Sequence, residues 1–144
     1  MRKIETEIII EADINKIWSI LTDFDKYPNW NPFIKSIVGN IAEGEKFKVV
    51  LEQPDSKAMT FKPTCIDFKK NRRFSWLGHL GFPGLFDGHH IFELTDLGNG
   101  KIKFEQNENF KGLLVPLFWG QLDTKTRLGF TLMNEKLKEL SEKE

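Results

Sequence analysis

In the segment Ile102–Lys111, IKFEQNENFK, strict alternation puts Ile102, Phe104, Gln106, Glu108 and Phe110 on one strand face and Lys103, Glu105, Asn107, Asn109 and Lys111 on the other. A carboxamide and a carboxyl therefore share the apolar side. Leaving such a group buried and unpaired costs about 1–3 kcal/mol, and more if it is charged, so Gln106 and Glu108 must be partnered, protonated or wet. In the preceding strand pattern His90, Phe92 and Leu94 share a face, opposite His89, Ile91 and Glu93. Neighbouring antiparallel strands set inward residues side by side, so His90 is expected near Glu108 or Gln106. Two chemistries follow. The three polar groups orient a ligand in an aromatic pocket, or Glu108, its pKa raised by burial, moves a proton while His90 or Gln106 polarises a carbonyl. The plainer alternative pairs Glu108 with a lysine or arginine at the rim and makes His90 a satisfied core histidine. A register slip of one residue would turn all three to solvent.

Other chemistries are not supported. His79, His89, His90 and the single Cys65 show no zinc-type spacing, and adjacent histidines in a strand point to opposite faces, so no metal site and no cofactor is expected. No Gly-x-Ser-x-Gly, His-Glu-x-x-His or phosphate-binding Gly-Lys-Ser/Thr motif occurs. Cys65 lies in a strand pattern without a local activating group, which argues against a nucleophile, and one cysteine cannot form an internal disulfide.

The elements that must position these residues read as strand, helix, strands, helix. Ile4, Thr6, Ile8 and Ile10 alternate with glutamates; Asp13 is a candidate N-cap before Ile14, Ile17, Trp18 and Leu21 at helical spacing. Further strands are predicted over about 34–39, 45–53, 58–69, 72–79, 88–96 and 101–111, with a bulge or bend near Pro63 where the parity of the fourth changes. Leu122, Thr126, Phe130, Met133, Leu137 and Leu140 form the stripe of an amphipathic helix of about five turns, whose partner must be the inner face of the sheet. Gly129, inside that helix despite a cost of about 1 kcal/mol relative to alanine, leaves room for a ligand or only allows close packing on the sheet.

Three segments carry apolar surface outside regular elements. DFDKYPNWNPFI, residues 23–34, places four aromatics and two prolines in twelve residues. LGFPGLFDG, residues 80–88, reads either as a mobile apolar flap over a pocket or as a packed loop or dimer contact. In GLLVPLFWG, residues 112–120, Pro116 and two glycines are expected to break the run, leaving Leu117, Phe118 and Trp119 to line the pocket.

The 144 residues suit one domain, 1–144, with 21 basic and 21 acidic side chains interspersed. There is no broad field to attract a polyanion, so nucleic acid is a poor partner. The start, MRKIETEIIIEA, is too short in apolar residues for a signal peptide or a membrane span, and a cytoplasmic protein without stable membrane insertion is expected.

IWSILTDFDKYPNWNPFI, the strand pair GHHIFEL and IKFEQNENFKG, and the closing GFTLMNEKLKELSE together resemble the START-like, or SRPBCC, superfamily, most closely its polyketide cyclase/dehydrase-type or uncharacterised ligand-binding branch. The resemblance implies an α+β helix-grip fold: a seven-stranded curved antiparallel sheet wrapped around a long C-terminal helix, with two short helices after the first strand. It also implies that the short helices close one end of a groove, with Trp30 and Phe33 as its plug. Candidate ligand-binding residues are then Trp30, Phe33, Phe74, Trp76, His90, Phe92, Phe104, Gln106, Glu108, Trp119, Phe130 and Met133, with Glu108 and His90 as catalytic candidates. The expected partner is a small hydrophobic molecule, aromatic, polyketide-like or lipid-like, bound by a monomer or homodimer. A cyclase or dehydratase using Glu108, and a protein-interaction module with a filled groove, are the alternative functions.

Overall fold

The computed structural model describes residues 1–144. Strand β1 (Arg2–Ile10) leads to helix α1 (Ile14–Thr22), a 3₁₀ turn (Phe24–Lys26) and α2 (Tyr27–Trp30). Seven strands follow: β2 (Ile34–Val38), β3 (Lys48–Leu51), β4 (Met59–Phe61), β5 (Thr64–Lys69), β6 (Arg73–His79), β7 (Asp87–Gly98) and β8 (Lys101–Lys111). The chain ends in α3 (Val115–Gln121), a π turn (Leu122–Thr126) and α4 (Arg127–Glu142), which run on without a break. No helix is long and apolar enough to cross a membrane.

All pairing is antiparallel, in a five-stranded sheet of order β1-β8-β7-β6-β5 and a three-stranded sheet of order β2-β3-β4. The strands thus number eight, not seven. The predicted strand over 58–69 divides at Lys62-Pro63: its first part pairs with β3 and its second with β6. Proline has no N–H to give a ladder, so the chain changes sheets there, held at the corner by Phe47 N–H donating to the Pro63 carbonyl (3.2 Å) and by the bridge between Lys46 and Thr64.

Local chemistry sets the helices. Asp13 caps α1, its carboxylate accepting from Asn15 N–H at 2.8 Å, and Ile17, Trp18 and Leu21 turn inward. Pro116 does not break the segment after β8. It sits in the first turn of α3, where its missing N–H would have had no partner, and Gly120 lies inside the helix. On α4 the buried face carries Gly129, Phe130, Met133, Asn134, Leu137 and Ser141.

The core is one cluster in which α4 packs on β1 and β8 of the large sheet. Phe92 is its centre, with ring centroids 4.5 Å from Phe74 and from His90, 5.2 Å from Trp76 and 6.4 Å from Phe104. Gly129 serves close packing, but on Phe33 rather than on the sheet: a Cβ at this position would stand 2.4 Å from Phe33 Cδ1 and 2.8 Å from Cε1. Gly129→Ala should therefore destabilise by about 1 kcal/mol, the crowding outweighing alanine's better helix propensity. A urea midpoint equal to or above the wild type would refute that packing argument.

Candidate functional site

The predicted parity holds, and the register makes it specific. His90 on β7 faces Glu108 on β8 directly, and Phe92 faces Gln106. His90 and Gln106 are fully buried, and Gln106 Oε1 accepts a hydrogen bond from His90 Nε2 at 2.9 Å. The imidazole is enclosed by Phe92, Trp76 and Phe130, with centroids at 4.5, 4.8 and 4.8 Å. This desolvation pulls its pKa down to about 3, against the Gln106 hydrogen bond that favours the charged ring. Glu108 has no lysine or arginine partner; its Oε1 is 3.6 Å from His90 Nδ1. Burial alone pushes the carboxyl up to about 8. A neutral acid beside a neutral imidazole is the resting arrangement near neutral pH.

Glu108 is 15% exposed, and it lines a cavity of about 660 Å³ that begins where α4 stops covering the sheet. This volume lies within the roughly 300–1,000 Å³ usual for small-molecule sites. One wall is built from absent side chains: Gly78 and Gly88 are cross-strand partners, both on the cavity. At Gly88 a Cβ would stand 2.4 Å from Glu108 Oε2, so only glycine lets the carboxyl lie across β7. The remaining wall is mainly apolar, from Phe33, Leu51, Met59 and Phe61 on one side and Leu85, Phe86, Phe110, Leu114 and Phe118 on the other. Polar groups gather between the β3–β4 loop and the π turn, where Gln53 Nε2 donates to Thr126 Oγ1 (2.8 Å) and Lys125 Nζ to Ser56 Oγ (3.2 Å).

The loop between β6 and β7 forms part of the cavity edge and is tied down. Leu113 N–H donates to the Gly84 carbonyl, Leu114 N–H to Leu85, and Leu80 N–H to Phe86, while Asp87 accepts from Gly84 N–H and contacts His79 Nδ1 at 2.6 Å. Phe86 packs on Phe110, whereas Phe82 is 61% exposed. Residues 85–88 are half-buried, whereas residues 80–84 are exposed, so only the second half of the segment is packed.

Of the predicted ligand-binding residues, the structure places Phe33 and Glu108 on the cavity wall. Phe74, Trp76, His90, Phe92, Phe104, Gln106, Phe130 and Met133 lie behind it, fully buried: Phe130 of α4 packs on His90, Trp18 of α1 on Phe74, and Phe47 on Trp76. Trp119 turns away from the cavity, its ring 6.0 Å from Phe110 and under the Arg2 guanidinium at 5.4 Å. Trp30 stacks edge-on against Tyr27 (5.3 Å) and supports the end of the groove from behind. In the aromatic segment after α1, Tyr27 is buried with its hydroxyl donating to the Leu21 carbonyl, and Asn31 Oδ1 accepts from the N–H groups of Phe33 and Ile34. That turn delivers Phe33 alone to the cavity. Cys65 is buried and its thiol is pushed up to about 11 by burial and then by the Glu43 and Asp67 carboxylates, which keeps it unreactive.

Two members of the polar cluster were not singled out from the sequence. Asn134 accepts from Gln106 Nε2 (2.8 Å) and donates to Thr6 Oγ1 (2.9 Å). Its signal was present: an asparagine four residues after Phe130 and three before Leu137, on the buried stripe of the helix.

A family model described as polyketide cyclase/dehydrase and lipid transport matches residues 1–142. The chain belongs to this family. Its START-like architecture is shared with protein MLL2253 from Mesorhizobium loti, 18% identical over 96% of both chains with a TM-score of 0.72. The hypothetical protein jhp0584 from Helicobacter pylori is 15% identical over 97% of this chain and 88% of its own, with a TM-score of 0.78. The di-domain ARO/CYC StfQ from the steffimycin biosynthetic pathway is 12% identical, covering 97% of this chain but 50% of its own, with a TM-score of 0.77. These identities establish a common fold. Comparison with curated proteins by sequence gives no match.

Proposed function

We propose that this family member, acting as one domain over residues 1–144, binds a small hydrophobic molecule, aromatic, polyketide-like or lipid-like, for carriage or sequestration. The observation that carries this reading is a cavity of about 660 Å³ with mostly apolar walls and one carboxyl, Glu108, set into its inner side. Apolar burial at about 25 cal/mol per Å² would supply most of the affinity, and Glu108 the orientation. Phe33 forms the end wall, and Phe130, Met133, Phe104, Phe74, Trp76, Phe92, His90 and Gln106 hold that wall from behind rather than touching the ligand. Native mass spectrometry of gently purified protein, followed by denaturing release, tests the reading. A co-purifying small molecule is expected. The bare chain mass, together with failure of apolar probes to quench tryptophan fluorescence, would overturn it and favour an interaction module.

One observation favours a second reading, a cyclase or dehydratase-type enzyme. Glu108, pushed up to about 8, holds its proton near neutral pH inside an apolar cavity, which is the state a general acid requires. Glu108→Gln separates the two: an enzyme keeps its ligand and loses turnover, whereas a carrier shows no turnover to lose.

A further inference from the structure

The buried chain of side chains behind the cavity has a direction that can be read atom by atom. Thr6 Oγ1 lies 2.6 Å from the main-chain carbonyl oxygen of Gln106, which can only accept. The hydroxyl proton is therefore committed there, and Oγ1 accepts from Asn134 Nδ2. With its nitrogen so used, Asn134 offers Oδ1 to Gln106 Nε2, and Gln106 in turn offers Oε1 to His90 Nε2. A carboxamide oxygen also only accepts, so the imidazole proton sits on Nε2 and the lone pair on Nδ1. That lone pair faces Glu108 Oε1 at 3.6 Å, while Oε2 lies over Gly88 on the cavity wall.

A neutral carboxyl has one proton for two oxygens. The Nδ1 lone pair, at 3.6 Å beyond direct hydrogen-bond length, favours the proton on Oε1 electrostatically and leaves Oε2, on the cavity side, as a bare acceptor. We propose that Thr6, acting through Asn134, Gln106 and His90, fixes Glu108 as a hydrogen-bond acceptor toward the cavity, so that the site selects apolar ligands bearing a hydroxyl group over those bearing only a carbonyl. This deepens the binding reading above and rests on it. Thr6, Asn134 and Gln106 are positioning residues; Glu108 is the group that touches the ligand.

The other titratable residues on the cavity are His79 at the end of β6, Lys57 in the β3–β4 loop and Lys125 in the π turn, while the residue opposite Glu108 on β1 is Ile4. Glu108 is the one carboxyl among the residues that line the cavity.

The test compares naphthalene, naphthol and acetylnaphthalene by calorimetry at a pH well below the Glu108 midpoint. Naphthol should bind about tenfold more tightly than naphthalene, the value of one added hydrogen bond, and acetylnaphthalene should gain nothing. Glu108→Gln should keep the naphthol preference, because its amide nitrogen can donate to His90 Nδ1 and leave its oxygen to the cavity. Glu108→Met should lose it. Acetylnaphthalene binding as tightly as naphthol, or loss of the preference in Glu108→Gln, would overturn the proposal. A second measurement does not need a ligand: the pH titration of the Glu108 carboxyl by ¹³C NMR, identified by its absence in Glu108→Gln. In Thr6→Val the two amides are free to turn over, His90 can carry its proton on Nδ1 and donate to the carboxylate, and the Glu108 midpoint should fall by about one pH unit or more. An unchanged midpoint would refute the relay even if every probe bound. Failure of all three probes with a lowered midpoint in Thr6→Val would instead refute the binding reading and leave the relay standing.

Discussion

Phe92→Ala is expected to lower the unfolding free energy by about 3–5 kcal/mol. The ring is fully buried and stacked between Phe74 and His90 at 4.5 Å on each side, with Trp76 and Phe104 closing the remaining directions. None of these neighbours can collapse into the space without abandoning another contact: Trp76 also packs on Phe47 at 5.5 Å, and Phe74 on Trp18 at 6.0 Å. The cost is thus the lost transfer energy plus most of the void. Met59→Ala on the cavity wall is the matching control. Its side chain is 46% exposed and borders space that is already empty, so its cost should stay within about 0.5 kcal/mol. Urea unfolding of both variants measures the difference. A loss below about 1 kcal/mol for Phe92→Ala would mean that the aromatic cluster behind the cavity is loosely filled, and that the cavity wall is less well defined than its geometry implies.

The same contrast explains how far the sequence could be read. Alternation in β7 and β8 identified the face carrying His90, Gln106 and Glu108, because a period of two survives any curvature of the sheet. The helical stripe through Phe130, Met133 and Leu137 likewise required a sheet to cover it. What periodicity cannot show is which part of the inner face is covered. Phe74, Trp76 and Phe92 follow the same pattern as Phe61 and Phe110, yet the first three are packed in the core, with Trp18 on Phe74 and Phe47 on Trp76, and the last two border the cavity. The difference comes from Gly78 and Gly88 meeting across two strands, and from Pro63 sending β4 into a second sheet. Both depend on pairings between distant segments. Trp119 failed as a pocket residue for a simpler reason: Pro116 starts a helix instead of ending one, and the helix turns the indole toward Phe110 and Arg2.

The Glu108–His90 pair should also give the protein a stability plateau in mildly acidic solution, with a fall on each side. The carboxyl stands at about 8 in the folded chain against an ordinary 4.5, so the folded state holds a proton that the unfolded state releases. Its contribution is complete below pH 4.5 and is lost as pH rises through 8. His90 works in the opposite sense. Held down to about 3 against an ordinary 6.5, it contributes fully above pH 6.5 and loses that contribution as pH falls toward 3. Between 4.5 and 6.5 these two slopes oppose and cancel, which leaves only the rise with pH contributed by His89, whose pKa burial also pulls down. From 6.5 to 8 only Glu108 changes, at about 1.4 kcal/mol per pH unit, and stability should fall by about 2 kcal/mol. Glu108→Gln keeps the shape and the His90 contact but has no proton to release, so its stability should be flat over that interval, while the acid-side fall, no longer opposed, should begin at 6.5. Urea midpoints of the wild type and Glu108→Gln at intervals between pH 4 and about 9 measure both limbs. An alkaline fall that persists in Glu108→Gln would assign it to another group and show that water in the cavity keeps the Glu108 carboxylate solvated, a result that would also remove the neutral acid on which the hydroxyl-selective site depends.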